Sequence, residues 1–500
     1  MKILSRIIGV FSYLYVLLFI LAFSAFGSDV YIAQFSTGAD TGLGCASAHS
    51  ALWFNSNATG GNTYHLCGTF TGSAGGTMFT VPASGSAGNP LTMLFESGAV
   101  LTAPYWSGAT GAIYINGKNY VTIDGGTNGV IKNTANGTLK TYQQGSRGVY
   151  ITNSDHITIK NLHVQDIFNK VGKTIAGAGG TGIEFRYNNS NILIDNNVVS
   201  SASDPVYIVF EGSTLSNLEI KNNTVSDACH MILVGGGASN SIATNISIHN
   251  NEVFGWDNWS SPSDCHTDGI FVFLWEGNTS NMTAEIYNNY IHGRLWDGVT
   301  LNSSPTAHIF CTYGESGGGT NGAACNIYNN LSVDSSMTAI WAKKTASIRH
   351  RIYNNTIVNS PYGVIFENAT GAVFQNNILK NTQFALKSYG TLQANIAASN
   401  YNLFDNTGVS SFAVTDAGQY NTYANWRALG YDANSRTSSS LLNANYSLQP
   451  GSPAINNGTT GIYAYDYIGT SRPQGLAWDI GAYEYIAKQP LPANILGITP

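Results

Sequence analysis

Charged side chains are scarce in this sequence of 500 residues, because Asp, Glu, Lys and Arg together make up only 10% of it. Basic residues are also in the minority: 22 Lys and Arg stand against 28 Asp and Glu, which gives a net charge of −6. A nucleic-acid partner requires a basic surface that neutralises phosphates, so this balance argues against one. Little charge combined with 55 Gly and 28 Tyr is typical of an extracellular, β-rich protein.

Long apolar runs are missing after Phe26, so no later segment is expected to cross a membrane. Before that point, Lys2 and Arg6 flank the start of an apolar run from Ile7 to Phe26. A basic start, an apolar centre and small residues at the end predict a secretory signal peptide over residues 1–27. The run also fits an uncleaved membrane anchor, because its length approaches that of a membrane span. We expect a secreted or cell-surface protein with no other membrane association.

The spacing Cys-x-x-Cys, which many structural zinc sites use, does not occur. The six cysteines fall instead into three pairs of near neighbours along the chain. An even number of cysteines in an exported protein favours disulfides. The sequence therefore predicts the bonds Cys45–Cys67, Cys229–Cys265 and Cys311–Cys325.

One short phrase recurs between residues 159 and 379, in which two asparagines follow an apolar residue and one variable residue. The pairs are Asn196-Asn197, Asn222-Asn223, Asn250-Asn251, Asn288-Asn289, Asn329-Asn330, Asn354-Asn355 and Asn376-Asn377. Successive pairs lie between 22 and 41 residues apart. Repeats of this length are typical of solenoids.

The segments between the pairs show no helical periodicity. They contain short β-branched and aromatic runs such as Val206–Phe210 and Ile270–Phe273, which predict strands of a few residues. Asparagine tolerates left-handed backbone angles, so the pairs suit tight corners, and stacked amides can form a hydrogen-bonded ladder. This pattern resembles the right-handed parallel β-helix of the pectin-lyase-like superfamily over roughly residues 110–400.

The fold predicted is therefore all-β, with an N-terminal cap and first coils over residues 28–110 and a right-handed parallel β-helix over residues 111–400. A small closing region is expected over residues 401–487, followed by a Pro-rich tail over residues 488–500. The closing region contains the phrases Gly451-Ser452-Pro453-Ala454-Ile455 and Asp479-Ile480-Gly481-Ala482-Tyr483-Glu484-Tyr485. They resemble the tail of secreted bacterial β-helix proteins of the choice-of-anchor type, which identifies no reaction.

Alignment of the coils on the residue that starts the strand after each Asn pair brings ionisable side chains together. His230, Asp268 and Asp297 align as one column, because equivalent positions on neighbouring coils lie about 4.8 Å apart. Other candidate site residues in or near this region are Asp227, His266, Arg294, Lys343, Trp256, Trp259 and Trp296. The tryptophans are candidates for stacking on sugar rings, and Lys343 for binding substrate.

This column allows several chemistries. Two neighbouring carboxylates such as Asp268 and Asp297 can act as acid and base in glycoside hydrolysis. With Asp227 they could instead bind Ca²⁺, which would assist an elimination with His266, His230 or Arg294 as base or charge partner. A purely structural polar ladder is the alternative, and no diagnostic hydrolase or lyase motif is present.

The superfamily resemblance implies a carbohydrate-active enzyme, so a polysaccharide lyase or glycosidase that works as a monomer is expected. The alternative is a non-catalytic solenoid for surface adhesion or polysaccharide binding. The candidate catalytic residues are Asp268, Asp297, His266, His230 and Arg294. No cofactor is expected apart from the Ca²⁺ considered above.

Overall fold

Three short strands per turn build most of this chain, which coils into a parallel β-helix. A computed structural model describes residues 27–168, 170–171, 174–175, 179–236, 241–256, 267–274, 282–295, 306–313, 323–343, 348–407, 412–415, 418–420 and 422–487. A typical coil has one strand in a first sheet, an Asn-Asn corner, a short strand in a second sheet and then a longer strand in that second sheet.

The first sheet, sheet A, is parallel, and it contains one strand from nearly every coil. Its members are β1 (Asp29–Ala33), β2 (His49–Ser50), β3 (Thr63–Leu66), β6 (Leu91–Phe95), β9 (Asn119–Asp124), β12 (Asp155–Lys160), β17 (Asn189–Asp195), β20 (Thr214–Lys221), β23 (Ile242–His249), β26 (Met282–Tyr287), β29 (Ala323–Tyr328), β32 (Arg351–Tyr353), β34 (Ala372–Gln375) and β36 (Ile396–Asn400).

The second sheet, sheet B, bends around the helix and contains both the short and the long strands. The short strands that follow the corners are β4 (Thr69–Thr71), β7 (Val100–Ala103), β10 (Val130–Asn133), β13 (His163–Gln165), β18 (Val198–Ser200), β21 (Thr224–Ser226), β24 (Glu252–Phe254), β27 (Tyr290–His292), β30 (Leu331–Val333) and β37 (Leu403–Asp405). The strands of the next face are β5 (Phe79–Thr80), β8 (Ile113–Asn116), β11 (Ser146–Thr152), β16 (Gly180–Arg186), β19 (Asp204–Val209), β22 (His230–Gly236), β25 (Asp268–Leu274), β28 (Ile309–Tyr313), β31 (Thr338–Lys343) and β38 (Ala413–Thr415). In β33 (Thr356–Glu367) and β35 (Ile378–Tyr389), one continuous strand covers both faces.

Antiparallel pairing is rare in the described residues. The strands β14 (Lys170–Val171) and β15 (Thr174–Ile175) form a hairpin, and β39 (Gly418–Tyr420) pairs with β38. The helices are short: α1 (Ala51–Asn57), α2 (Leu392–Asn395) and α3 (Tyr423–Ala428). The prediction of an all-β solenoid is therefore confirmed.

The two asparagines of each pair have different roles at the corner. The first has a left-handed backbone, with φ of 56° at Asn196 and 55° at Asn222, which asparagine tolerates better than most residues. The second points inward and is fully buried. The first residue therefore turns the chain, and the second is free to bond along the helix axis.

The buried second asparagines form a continuous ladder. Each donates from Nδ2 to Oδ1 of the next at 2.9–3.2 Å, and the members are Asn197, Asn223, Asn251, Asn289, Asn330, Asn355, Asn377 and Asn402. At the C-terminal end, Asn402 donates to Oδ1 of the buried Asp432 at 2.9 Å. The ladder predicted from the repeated phrase is present, and a carboxylate ends it.

Aliphatic side chains fill the interior beside this ladder. The register of sheet A stacks Ile194, Ile220, Ile248, Ile286 and Ile327 on five successive coils, and none of them is exposed. Burial of one such side chain stabilises the folded state by about 1.5–3 kcal/mol. The apolar residue that begins each repeated phrase therefore supplies the core.

The C-terminal region after α3 does not stop at the last coil. Residues 431–487 run back along the side of the helix, where Asn329, Asn354 and Asn376 donate side-chain hydrogen bonds to backbone carbonyls of this segment. Arg472 is buried there and bonds Glu484 at 2.8 Å and Asn329 at 3.1 Å. The first asparagines of three corners thus bind the tail phrases to the solenoid.

Two of the three predicted disulfides, Cys45–Cys67 and Cys311–Cys325, are confirmed, with Cα–Cα distances of 5.7 Å and 6.4 Å. Cys229 is also disulfide-bonded, and its predicted partner Cys265 lies outside the described residues. The first bond closes the N-terminal coil, and the second crosses the interior between sheets A and B.

Within the described ranges, none of the helices has the length and apolar character needed to span a membrane. The predicted signal peptide over residues 1–27 falls almost entirely outside those ranges.

Candidate functional site

The outer face of the long strands of sheet B carries an unusual concentration of ionisable side chains for so uncharged a protein. The register of β11, β16 and β19 aligns Arg147, Thr181 and Asp204, and the register of β22 and β25 aligns His230 with Asp268. These five residues form one row on five successive coils. A second row, three residues further along the same strands, contains Tyr150, Glu184 and Tyr207, and side-chain bonds from Arg147 and Thr181 to Glu184 join the two rows.

Glu184 is the centre of what we call the ionic cluster, which consists of Arg147, Thr181, Glu184 and Arg186. Its carboxylate is fully buried and accepts hydrogen bonds from Nε of Arg147 at 2.5 Å, from Nε of Arg186 and from Oγ1 of Thr181 at 2.6 Å. Burial alone would lower the pKa of Arg186. The hydrogen bond to Glu184 and the negative charge of Glu184 outweigh burial, so the pKa of Arg186 is raised. Two guanidinium groups on one carboxylate leave the cluster with one net positive charge.

Two tyrosines pack against these guanidinium groups. Arg147 lies 4.5 Å from the ring centre of Tyr150, and Arg186 lies 5.5 Å from that of Tyr207. Burial, together with the nearby charge of Asp204, raises the pKa of Tyr207 to about 12. The Tyr207 hydroxyl is therefore protonated at neutral pH and can donate a hydrogen bond.

His230 lies two coils beyond the ionic cluster, between two carboxylates. Its Nδ1 is 2.8 Å from Oδ1 of Asp204, and its Nε2 is 3.9 Å from Oδ2 of Asp268. The carboxylate of Asp204 faces Nδ1 and orients the ring, so that Nε2 lies on the opposite side of the imidazole. The side chains of His230 and Asp204 are 14% and 16% exposed, whereas that of Asp268 is fully buried. An oriented imidazole that reaches solvent can remove a proton from a bound molecule.

The predicted column is only partly reproduced by the described residues. His230 and Asp268 are direct neighbours, but the next coil places Ala307 beside Asp268, since Gly269 donates to the Ala307 carbonyl and Ile270 pairs with Ile309. The prediction that Asp297 follows Asp268 in register is therefore wrong. In the coil after Asp268, the extra residues come before the long strand β28, so this strand begins further from the Asn288-Asn289 corner than the sequence alignment assumed. The candidates Asp297, His266, Trp259 and Trp296 lie outside the described residues.

Trp256 and Asp268 are both buried, which contradicts the sugar stacking predicted for Trp256 and leaves Asp268 without access to a substrate. Trp256 is fully buried in the core, stacks on His308 at 5.3 Å and donates from Nε1 to the Asp268 carbonyl at 3.0 Å. It therefore supports the strand and cannot stack on a sugar. The Asp268 carboxylate is equally buried, so its contact with His230 is internal.

The remaining candidates lie apart from the ionic cluster. Lys343 is in the row of Arg186, but five strand pairings away, or roughly 24 Å, and it pairs with Glu367 at 3.5 Å. Arg294 is exposed after β27. Asp227 lies at a corner, where it accepts a hydrogen bond from Ser201 at 2.7 Å.

A calcium site built from Asp227, Asp268 and Asp297 stays a prediction. In the described part of the chain, three metal-ligating groups converge only at Cys311, Cys325 and His350, and the two cysteines of that group are joined as a disulfide.

Sequence reasoning missed Arg147, Glu184, Arg186 and Asp204. One signal could have found them: Glu184 and Arg186 are two residues apart in a strand and therefore share a face, and charge is rare in this chain.

Aromatic residues continue the second row along the same face. Tyr114 stacks on Tyr150 at 5.7 Å, Phe271 stacks on Phe310 at 4.9 Å, and Phe310 lies 5.3 Å from Trp341. Tyr114, Tyr207 and Trp341 are half-buried, so parts of their rings are accessible. This aromatic row runs parallel to the helix axis beside the charged groups.

Comparison with known proteins agrees with this architecture. Residues 147–313, which include the ionic cluster and His230, match the family model described as a right handed beta helix region. The fold is therefore a right-handed parallel β-helix, as predicted. No curated protein matches the sequence.

Solved structures are similar at low identity. A pectate lyase, Pel9A, aligns with 92% of this chain and 97% of its own at 13% identity and a TM-score of 0.47. A GH136 lacto-N-biosidase from Eubacterium ramulus aligns with 82% of this chain and 68% of its own at 11% identity and a TM-score of 0.47. A PL6 family alginate lyase, AlyGC, aligns with 85% of this chain and 56% of its own at 13% identity and a TM-score of 0.43. At these values the similarities concern the fold alone, and the chemistry has to be argued from the residues of this chain.

Proposed function

We propose that this protein is an exported enzyme that cleaves a uronate-containing polysaccharide by elimination, on the outer face of the long strands of sheet B. The observation that carries the proposal is the pair His230–Asp204, an oriented and partly exposed imidazole that lies two coils from a cluster with excess positive charge. The disulfides are typical of an exported protein.

The charged groups divide the work of binding and proton removal. An acidic polysaccharide lying along the rows meets the guanidinium groups of Arg147 and Arg186, whose remaining N–H groups bind carboxylates. About 10 Å further along the axis it meets His230. Tyr207 lies between them and can donate to a sugar oxygen.

The reaction starts at the carbon next to the uronate carboxylate. Nε2 of His230 takes the proton from this carbon, and the electrons of the C–H bond form the double bond to the neighbouring carbon. The glycosidic C–O bond on that carbon breaks, and the leaving oxygen takes a proton from water. Asp204 stabilises the imidazolium that forms, as a general base requires.

Hydrolysis fits these residues less well. It requires two carboxyl groups on either side of the glycosidic bond, one of them protonated. Glu184 is enclosed by two guanidinium groups, and Asp268 is fully buried. Neither is placed to protonate a sugar oxygen, whereas elimination needs only one base.

A second candidate function is binding without catalysis. The aromatic row favours it, since Tyr114, Tyr207 and Trp341 offer accessible ring surface along the axis for stacking on sugars.

The test is a screen of the secreted protein against acidic and neutral polysaccharides, followed by ultraviolet absorbance for unsaturated products. With the active polysaccharide, His230→Gln and Asp204→Asn should each lower kcat about a hundredfold or more, and Arg186→Lys should raise KM. The matched control is His292→Gln, which removes another half-exposed histidine, paired with Glu252 at 3.0 Å on a different face.

Each outcome of the screen decides between the candidates. New reducing ends without an unsaturated product would mean hydrolysis, and binding without any product would favour the second function. Full activity of the His230→Gln variant would exclude His230 as the base.

A further inference from the structure

A polar cavity lies near the C-terminal end of the solenoid, far from the ionic cluster. It has a volume of about 400 Å³ and is lined by Tyr401, Asn434, Ser435, Arg436, Asn456 and Asn457, together with Ala433 and Gly458. Seven strand pairings separate β16 from β35, the last long strand before Tyr401, which is roughly 34 Å along the axis. This size is in the range of sites for small ligands.

One wall of the cavity is fixed to the last coil. Arg436 donates its backbone N–H to the Asn402 carbonyl at 2.9 Å and accepts from Phe404 at 2.8 Å. Ser435 accepts from the Asn402 N–H at 2.8 Å, and its hydroxyl donates to Asp432. The backbone that carries Arg436 is therefore anchored at the end of the asparagine ladder.

The opposite wall belongs to the tail that runs along the side of the helix. The Asn456 N–H donates to the buried carboxylate of Asp479 at 2.7 Å, and Oδ1 of Asn456 accepts from Ala477 at 3.1 Å. Asn457 donates to the Ile455 carbonyl at 2.7 Å. Both walls are thus held by bonds to buried groups, and the cavity does not depend on exposed loops alone.

The charge of the cavity is opposite to that of the protein. Among its lining residues, all in the described part of the chain, Arg436 carries the only formal charge, whereas the whole chain has a net charge of −6. Arg436 is exposed, and Nη2 donates to Oδ1 of Asn457, which orients the guanidinium group. A guanidinium group has five N–H donors, so others remain for a ligand.

From this arrangement we infer that the cavity is a second saccharide site, which binds a single acidic sugar unit through its carboxylate. Arg436 binds the carboxylate, the amides of Asn434 and Asn457 bind hydroxyl groups, and the Tyr401 ring provides an apolar surface. The choice of a uronate over other small anions rests on the proposed function, but the site itself does not involve the elimination chemistry.

The probes that test this inference are D-glucuronate and D-glucose, two sugars that differ only by the carboxylate. Saturation-transfer NMR on the full chain should show glucuronate binding at least tenfold tighter than glucose. Arg436→Gln and Asn457→Ala should each weaken glucuronate at least tenfold. Arg349→Gln removes another exposed arginine and should change nothing.

Two results would overturn the inference. One is glucuronate binding that Arg436→Gln leaves unchanged, and the other is acetate or sulfate competing as strongly as glucuronate, which would mean a simple anion site. Failure of the proposed elimination is detected separately, because the binding is measured on a monosaccharide and should persist in the His230→Gln variant.

Discussion

The buried asparagine ladder predicts a large loss of stability for one small change, Asn289→Ala. In the folded protein Asn289 makes four side-chain hydrogen bonds. It donates to Oδ1 of Asn330 and to the Ile248 carbonyl at 3.0 Å each, and its Oδ1 accepts from the backbone and side chain of Asn251 at 3.1 and 3.0 Å. None of this side chain is exposed to water.

The magnitude follows from what the alanine leaves behind. The backbone N–H of Asn251 loses the acceptor that Asn289 provides, and a buried donor left without a partner costs about 1–3 kcal/mol. The other three bonds are lost with the amide and contribute about 1 kcal/mol each. The cost is limited at Asn330, because its Oδ1 still accepts from the backbone N–H of residue 289. We expect the free energy of unfolding to fall by about 3–5 kcal/mol.

Urea unfolding followed by circular dichroism measures this loss. The matched control is Asn222→Gly, which removes an exposed corner amide bonded to Asp195 at 2.8 Å, at a position with φ of 55° that glycine adopts easily. The control should cost about 1 kcal/mol or less. If Asn289→Ala costs no more than the control, the ladder is not a source of stability.

Three further predictions concern buried ionisable groups. Glu184→Gln should lower the free energy of unfolding, measured by urea unfolding, by about 3 kcal/mol, because two guanidinium groups lose their carboxylate. An equal loss in the control Glu211→Gln, which changes an exposed carboxylate, would contradict this. Burial lowers the pKa of His308 from 6.5 to about 3, so stability present above pH 6.5 should be lost as the pH falls towards 3. In urea unfolding between pH 4 and 7, the free energy of unfolding of His308→Gln should therefore depend less steeply on pH than that of the unaltered protein. Burial raises the pKa of Asp479 from 3.8 to about 6, although backbone hydrogen bonds oppose the shift. Up to about 3 kcal/mol of stability that is present below pH 3.8 should therefore be lost as the pH rises through 6. If the free energy of unfolding of Asp479→Asn depends on pH as steeply as that of the unaltered protein, this assignment is refuted.

The fold could be predicted because one local rule repeats. Each Asn pair sets a left-handed corner and then a buried amide, and each preceding isoleucine enters the core. Such rules involve residues within one phrase, so a single sequence is sufficient to find them. The difference between the first and the second asparagine was not foreseen, because it depends on which side of the chain each amide faces.

The site was harder to predict, because it depends on the register between coils of unequal length. Asp268 and His230 were matched correctly, although 16 residues separate Asn251 from Asp268 and only six separate Asn223 from His230. The coil after Asp268 contains extra residues before β28, and a sequence does not reveal on which side of a strand an insertion lies. Trp256 was misplaced for a related reason: a residue after a corner can turn inward or outward, and its burial decides its role.

The asparagine ladder also has a direction. Every amide donates towards the C-terminal end, so one end offers an acceptor, filled by the Leu162 N–H, and the other a donor, filled by Asp432. Each ladder asparagine therefore offers the same donor and the same acceptor to its neighbours, and only the terminal partners are unique. Removal of one whole coil, such as residues 198–223, would bring Asn197 against Asn251 with every bond still available, whereas removal of part of a coil would not. The length of this solenoid can thus change in whole coils without breaking the ladder, but removal of residues 198–223 would also take Asp204 and Tyr207 out of the charged face.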